Sequence, residues 1–337
     1  MRILVGISGG VDSAYAAKKL KDQGHEVEGA VLIMHEYTEL DAAREAAASV
    51  GIKLHEIDCR DEFCAIKENF VNEYVCGRTP NPCIICNRQV KFARLYSFAM
   101  ENGFDAIATG HYAKVVECDG RYSLAIAGDL KKDQTYMLYR LSQEILSKLV
   151  LPLSDDHKTD IRLKAQEQGI SAANREDSQE ICFLPEGNYT EYIESVSGKC
   201  PEGDFVDEQG KVLGKHKGII HYTVGQRKGL GIALGSRAFV TDIDPKTNRI
   251  TLSTEMSGKD VVHITDIVYS GVEAPTEECE LELEVKLRYT APLIKTKVHL
   301  TTDGRATLTL EKSQKFAPGQ SAVLYKDGVV MLGGFIL

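Results

Sequence analysis

Ser8-Gly9-Gly10-Val11-Asp12-Ser13 stands between an apolar run and an amphipathic one, and its reading decides the fold. Upstream, Arg2 to Ser8 has the length and apolarity of a buried strand. Downstream, Val11 to Gln23 places Val11, Tyr15, Ala16 and Leu20 near one helix face and Lys18, Lys19 and Lys21 elsewhere. The paired glycines allow a tight turn and bring backbone close to an anion. The helix start behind them offers free N–H groups and the positive end of a dipole. Ser8 and Ser13 add hydroxyls, so strand, loop and helix together read as a pyrophosphate cradle. This is not the Walker loop, because G-x-x-x-x-G-K-[ST] occurs nowhere in the chain, nor is it the dinucleotide pattern G-x-G-x-x-G.

Outward from the loop the pattern repeats. Glu28 to Met34, Lys53 to Asp58 and Asp105 to Thr109 read as further strands. Leu40 to Val50, stopped by Gly51, and Glu62 to Val75 read as helices between them. This alternation predicts an α/β domain with a doubly wound parallel sheet and ligands at the strand C-terminal ends. Gln134 to Leu149 and Asp156 to Gln168 read as two more helices. Beyond about Ser197 short alternating strands take over, among them Ala238 to Ile243, Arg249 to Leu252, Glu280 to Tyr289 and Ala306 to Glu311. Turn clusters such as Asp244-Pro245-Lys246-Thr247 separate them. The organisation expected is an α/β domain over residues 1–197, a small β-rich domain over 198–258 and a C-terminal β-barrel over 259–337.

A net charge of -9 argues against a general nucleic-acid adhesive. Yet Lys211 to Thr241 holds six Lys or Arg and no acidic residue, Arg227 and Lys228 among them. That stretch reads equally as a phosphate-facing surface or a solvated β face. No apolar run reaches the roughly 18 residues of a membrane span. The first residues already form a strand pattern rather than a signal peptide, so a cytoplasmic protein is expected. Nine cysteines, an odd number, favour thiol or metal chemistry over disulfide stapling.

Two of those thiols lie in Thr79-Pro80-Asn81-Pro82-Cys83-Ile84-Ile85-Cys86-Asn87. A helix beginning near Cys83 would put Cys83 and Cys86 on one face, and a helix start favours thiolate over thiol. A nucleophile, a metal or cluster site and a redox pair all remain open, while structural zinc is disfavoured because no second C-x-x-C exists. A third thiol, Cys182, follows in Asp177-Ser178-Gln179-Glu180-Ile181-Cys182-Phe183-Leu184, where a buried free cysteine is the plain alternative.

SGGVDS resembles the PP-loop signature of enzymes that cleave ATP between the α and β phosphates. With GRTPNPCIICN and QVKF, ATGHYAKV, KKDQTYMLYRL, DSQEICFLPEGNY, HYTVGQRKGLGI and APGQSAVLY in one order, essentially the whole chain resembles the tRNA-specific 2-thiouridylase family (MnmA/TrmU). The resemblance implies an ATP-dependent sulfurtransferase that adenylates the C2 oxygen of a tRNA wobble uridine and replaces it with sulfur. It implies that Gly6, Ile7, Ser8, Gly9, Gly10, Val11, Asp12, Ser13, Met34 and Gly110 contact ATP, with Asp12 organising Mg2+ or the phosphates. Asn81, Pro82 and Cys83 would lie against the target base. Cys86 matches the nucleophilic cysteine and Cys182 the persulfide carrier, with a disulfide between them at the end of transfer. Lys132, Asp133, Gln134, Arg288 and Tyr289 match tRNA-contacting positions. A cysteine desulfurase or sulfur-carrier protein is the expected donor.

Two departures stand out. Many members carry Asp where this chain has Cys83. Cys83, Cys86 and Cys182 therefore also suit three ligands of a [4Fe–4S] cluster, and the sequence leaves cluster and persulfide relay both open. Second, His35 to Asp41 runs straight into the next helix without the insertion of longer members.

Overall fold

The computed structural model describes residues 1–175, 181–184, 188–232, 237–255 and 258–337. Strand β1 (Arg2–Gly6) runs into the glycine loop and helix α1 (Val11–Asp22). There follow β2 (Glu26–Ile33), α2 (Leu40–Val50), β3 (Leu54–Asp58), α3 (Arg60–Val75), a short α4 (Pro82–Cys86), α5 (Phe92–Glu101) and β4 (Ala106–Ala108). A hairpin β5 (Lys114–Cys118) and β6 (Arg121–Ala125) comes next. It is followed by single-turn α6 (Thr135–Leu138) and α7 (Gln143–Leu146), then β7 (Leu149–Val150), α8 (Lys158–Glu167) and α9 (Tyr189–Ser197). The predicted α2 stops at Gly51, which takes the left-handed conformation (φ 68°) that a helix end favours in glycine.

The first sheet has the order β3-β2-β1-β4-β7, all pairs parallel. Alternation decides its two faces. Ile3, Val5, Ala106 and Ala108 pack with α1, α2 and α8, whereas Leu4 and Ile107 pack with α3, α4 and α5. The chain moves outward through β2 and β3, then returns to the other side of β1 to form β4. The reversal of strand order therefore falls between β1 and β4, where open α/β sheets bind ligands, and the glycine loop sits there.

The predicted helix Gln134–Leu149 is a correction: the chain forms α6, α7 and strand β7 instead. Ser142 breaks the run by capping α7, accepting from Ile145 N. Tertiary packing takes the remainder. Tyr136 donates to Ser321 O at 2.9 Å, Tyr139 bonds Ser321 Oγ at 3.0 Å and Arg140 donates to Asp266 Oδ2 at 2.6 Å.

The β-rich half comprises β8 (Gly203–Val206), β9 (Val212–His216), β10 (Phe239–Asp244) and β11 (Arg249–Ser253), ordered β10-β11-β8-β9. The C-terminal strands are β12 (Lys259–Tyr269), β13 (Cys279–Lys286), β14 (Ile294–Leu300), β15 (Ala306–Gln314), β16 (Ser321–Lys326) and β17 (Val329–Ile336). Pairing of β12 with both β15 and β17 closes these six into a barrel around Val262, Val285, Val298 and Leu308. The N-terminal hairpin β5–β6 joins the barrel sheet through β17, an association the local pattern does not signal.

Among the described residues, no helix is long and apolar enough to cross a membrane.

Candidate active site

The cradle is built by its own six residues. Gly9 has φ 84°, and a Cβ there would stand 2.8 Å from Ala42 Cβ, so conformation and space both require glycine. Ser13 Oγ donates to Gly10 O at 2.9 Å and accepts from Ser8 N at 3.2 Å, fixing the loop from inside. Ser8 remains exposed. Gly10 begins α1 without a capping side chain, so the first amides of a 12-residue helix have no side-chain acceptor. Such amides suit a phosphate. Ile7 and Val11 are buried in the core and give the loop its footing. Gly6 ends β1.

Asp12 accepts from Tyr112 OH at 2.7 Å and from Lys158 Nζ at 2.6 Å, so a buried lysine from α8 stands beside the phosphate loop. Gly110 packs against the phosphate loop. A Cβ there would lie 2.6 Å from Asp12 C and 2.7 Å from Ser13 N. The room beside β4 is filled by the first turn of α1, and the glycine allows that close approach.

The thiols lie on the opposite face of the sheet. Asn81 caps α4 by accepting from Cys83 N at 3.2 Å, with Pro82 at the first helical position. Asn81 also reaches Met137 Sδ. A π-helical turn over Asn87–Lys91 follows directly. Cys83, Cys86 and Cys182 then line one cleft with Lys91 and the apolar Phe63, Ile66, Pro82, Ile181 and Phe183. The cleft encloses about 10 Å³, scarcely room for one water. Met34 Sδ is 3.9 Å from Cys86 Sγ, so the end of β2 joins the thiol face.

A helix start does not favour the Cys86 thiolate, contrary to expectation. Cys86 is at the far end of a five-residue helix and buried, and burial pushes its thiol up to about 12 against the pull of Lys91. Cys182 belongs to an exposed residue, yet burial of its thiol also raises its pKa, again opposed by Lys91. Two histidines at strand ends are kept neutral: burial lowers His35, and lowers His111 to about 3 with help from Lys91. Among the described residues no group of three or more Cys, His, Asp or Glu is placed to hold a metal ion. The three thiols share one cleft, but among the described residues they are not arranged as a ligand set, so no cluster chemistry is assigned to them.

The expected tRNA contacts divide. Arg288, Arg227 and Lys228 are exposed, the latter two on a loop beside β10. Asp133 is buried, its carboxylate accepting from Thr135 Oγ1 at 2.8 Å and lying 3.6 Å from Lys286 Nζ. Gln134 Oε1 accepts from Tyr112 N. These two side chains therefore brace the loop, leaving half-buried Lys132 at its surface. Tyr289 packs near Tyr136, ring centroids 6.3 Å apart. Burial raises its pKa, with Asp133 adding and Lys132 opposing, which brings the two predicted patches together. Sequence reading assigned nothing to Lys91 or Lys158, although Lys91 lies within the quoted QVKF. The Asp177–Glu180 part of the third cysteine's motif lies outside the described residues.

Three family profiles cover the chain: tRNA methyl transferase HUP domain over residues 1–186, tRNA methyl transferase PRC-barrel domain over 190–254 and aminomethyltransferase beta-barrel domain over 259–336. A tRNA-specific 2-thiouridylase MnmA of Clostridium perfringens is 42% identical over 99% of this chain and 98% of its own. The protein of that name from Clostridium beijerinckii is 41% identical over the same shares. A solved 4-thiouridine synthetase–RNA complex with bound ATP is 19% identical with a TM-score of 0.40, covering 58% of this chain and 50% of that one. The near-complete match at these identities makes this chain a member of the tRNA-specific 2-thiouridylase family.

Proposed function

We propose that this protein is a sulfurtransferase carrying out ATP-dependent 2-thiolation of the wobble uridine of tRNA. The observation that carries the proposal is that one sheet presents both sites beyond the C-terminal ends of its strands. A phosphate cradle lies on one face and a three-sulfur cleft on the other, with Met34 at the end of β2 against Cys86.

ATP binds with its phosphates against the Ser8–Ser13 loop and the first amides of α1, near Lys158. Mg2+ suits Asp12 together with substrate phosphates, since this ion is usually held by one or two carboxylates plus phosphate and supplies charge neutralisation there. The uridine C2 oxygen attacks the α phosphate and pyrophosphate leaves. The base now carries AMP as its leaving group, where an amide-like oxygen had been a poor one. Sulfur from a cysteine desulfurase or sulfur-carrier protein rests on Cys182 as a persulfide. As the cleft opens to water the Cys86 thiol gives its proton to solvent, and the thiolate attacks the inner sulfur of that persulfide. A Cys86–Cys182 bond forms, the bond to the outer sulfur breaks, and hydrosulfide leaves with the electron pair. Hydrosulfide adds to C2, AMP departs with the C–O pair, and the sulfur-bound proton passes to solvent. An external thiol reductant reopens the disulfide.

Pro82 and Cys83 line the cleft and Asn81 caps the same short helix, and these three are suited to receive the base. The closed cleft excludes a pyrimidine, so the base must be extruded and the cleft opened around it. Residues 1–197 would supply this chemistry, with 198–258 and 259–337 gripping the tRNA body by shape and backbone. The test is nucleoside mass spectrometry of unmodified tRNA incubated with the protein, ATP and a persulfide donor. 2-Thiouridine at the wobble position is expected; pyrophosphate release with no thiolated nucleoside would refute the proposal.

A further inference from the structure

The chemistry proposed above leaves one group in the cleft without a task. Lys91 ends the π-helical turn Asn87–Lys91. Such a turn departs from the regular helical ladder, and these turns are frequent at functional sites. Here it directly follows α4, and Lys91 lines the same cleft as Cys83, Cys86 and Cys182. The rest of the described lining is apolar.

Lys91 is half-buried, and an ammonium drawn out of water is costly unless negative charge faces it. Burial works against the charge on Lys91, but Cys86, Cys83 and Cys182 more than offset it and raise its pKa. Among the described residues no carboxylate contributes to that shift. Nor do the neighbouring histidines supply an anion, both being neutral bases. The cleft thus presents a cation to three sulfurs, of which Cys86 is an uncharged thiol at neutral pH. The matching negative charge arises during sulfur transfer.

We propose that Lys91 is the positioning cation for anionic sulfur, holding the Cys182 persulfide and then the hydrosulfide displaced from it. This rests on the thiolation reading and adds a residue to it. A small anion released in a narrow, largely apolar cleft would otherwise escape to water, where it is better solvated. An ammonium lining that cleft retains it beside the activated base.

The test uses the full-length protein loaded at Cys182 with inorganic polysulfide, with ATP and tRNA lacking the modification. Pyrophosphate release, single-turnover 2-thiouridine formation and sulfide escaping to solvent are measured separately. A cation at about 4–6 Å favours an anion by about tenfold to a thousandfold, so Lys91→Met should slow thiolation by that range. It should leave pyrophosphate release near wild type and, from an equal starting amount of persulfide, lose as free sulfide what wild type delivers. Lys91→Arg should recover most of the rate with little escape. Wild-type thiolation by Lys91→Met would overturn the inference. So would equal impairment of Lys91→Met and Lys91→Arg without sulfide escape, which would mark a packing role. Should Lys91→Met be insoluble, Lys91→Gln against Lys91→Arg makes the same comparison, and equal rates overturn it. Absence of 2-thiouridine from the wild-type protein would instead refute the thiolation reading itself.

Discussion

The phosphate cradle and the thiol cleft occupy opposite faces of one sheet and are built in opposite ways. The cradle comes from six consecutive residues whose backbone and hydroxyl groups satisfy one another, with Ser8 left open to solvent. The cleft gathers side chains from α3, α4, the π-helical turn and the distant Ile181–Phe183 segment, and is narrow. Its nucleophile is held as a thiol by burial. The difference separates a site preformed for binding from one that must change before it reacts. A preformed cradle can activate the base at once. A narrow cleft shields sulfur until a base arrives, which suits a persulfide that any passing thiol would otherwise reduce.

That contrast predicts separable losses. The largest effect falls on the cleft: Cys86→Ser should abolish 2-thiouridine formation while tRNA-dependent pyrophosphate release continues. Loss of both activities together would show that the two sites are not independent.

Asp12→Ala strikes the other face. Removing a charged group that organises the phosphates should slow pyrophosphate release by about a hundredfold or more and leave tRNA affinity near wild type. Because this also takes a carboxylate away from the buried Lys158, Asp12→Asn is the control that keeps the shape. Normal ATP consumption by both variants would remove the cradle from the mechanism.

Gly110→Ala probes whether the cradle is preformed by packing. The added methyl meets the Asp12–Ser13 backbone at under 3 Å, and such overpacking costs about 1–3 kcal/mol. The denaturation midpoint and the rate of pyrophosphate release should fall together. A variant normal on both counts would mean that the first turn of α1 yields freely, and the cradle is softer than its hydrogen bonds suggest.

The smallest effect lies outside both sites. Changing Arg227 and Lys228 together to Glu should weaken tRNA binding and flatten its salt dependence by about one ion per lost phosphate contact. ATP binding without tRNA should not change. Unaltered affinity from low to high salt would remove that loop from the tRNA surface.

Much of this was legible in the chain because the signals are local. A strand, two glycines and a helix start lie within adjacent residues, so the phosphate loop and the parallel α/β order can be read directly. The C-x-x-C pair is legible for the same reason. Legibility failed where long-range packing competes with local pattern. Gln134 to Leu149 has helical composition, yet Tyr136, Tyr139 and Arg140 are spent on docking the barrel. Asp133 is a charged loop residue by sequence and a buried brace in the fold.

The sequence by itself determined the class of chemistry, because backbone geometry at Gly9 and sulfur at Cys83, Cys86 and Cys182 depend on residue type alone. Only the tertiary structure decided how those thiols behave. Their enclosure and Lys91's position among them depend on which segments pack together, and a pKa follows surroundings rather than residue type. The same holds for Gly110, whose need to lack a side chain is not visible in the sequence. In the fold a side chain there would meet the backbone of Asp12 and Ser13, brought close by the parallel pairing of β1 with β4.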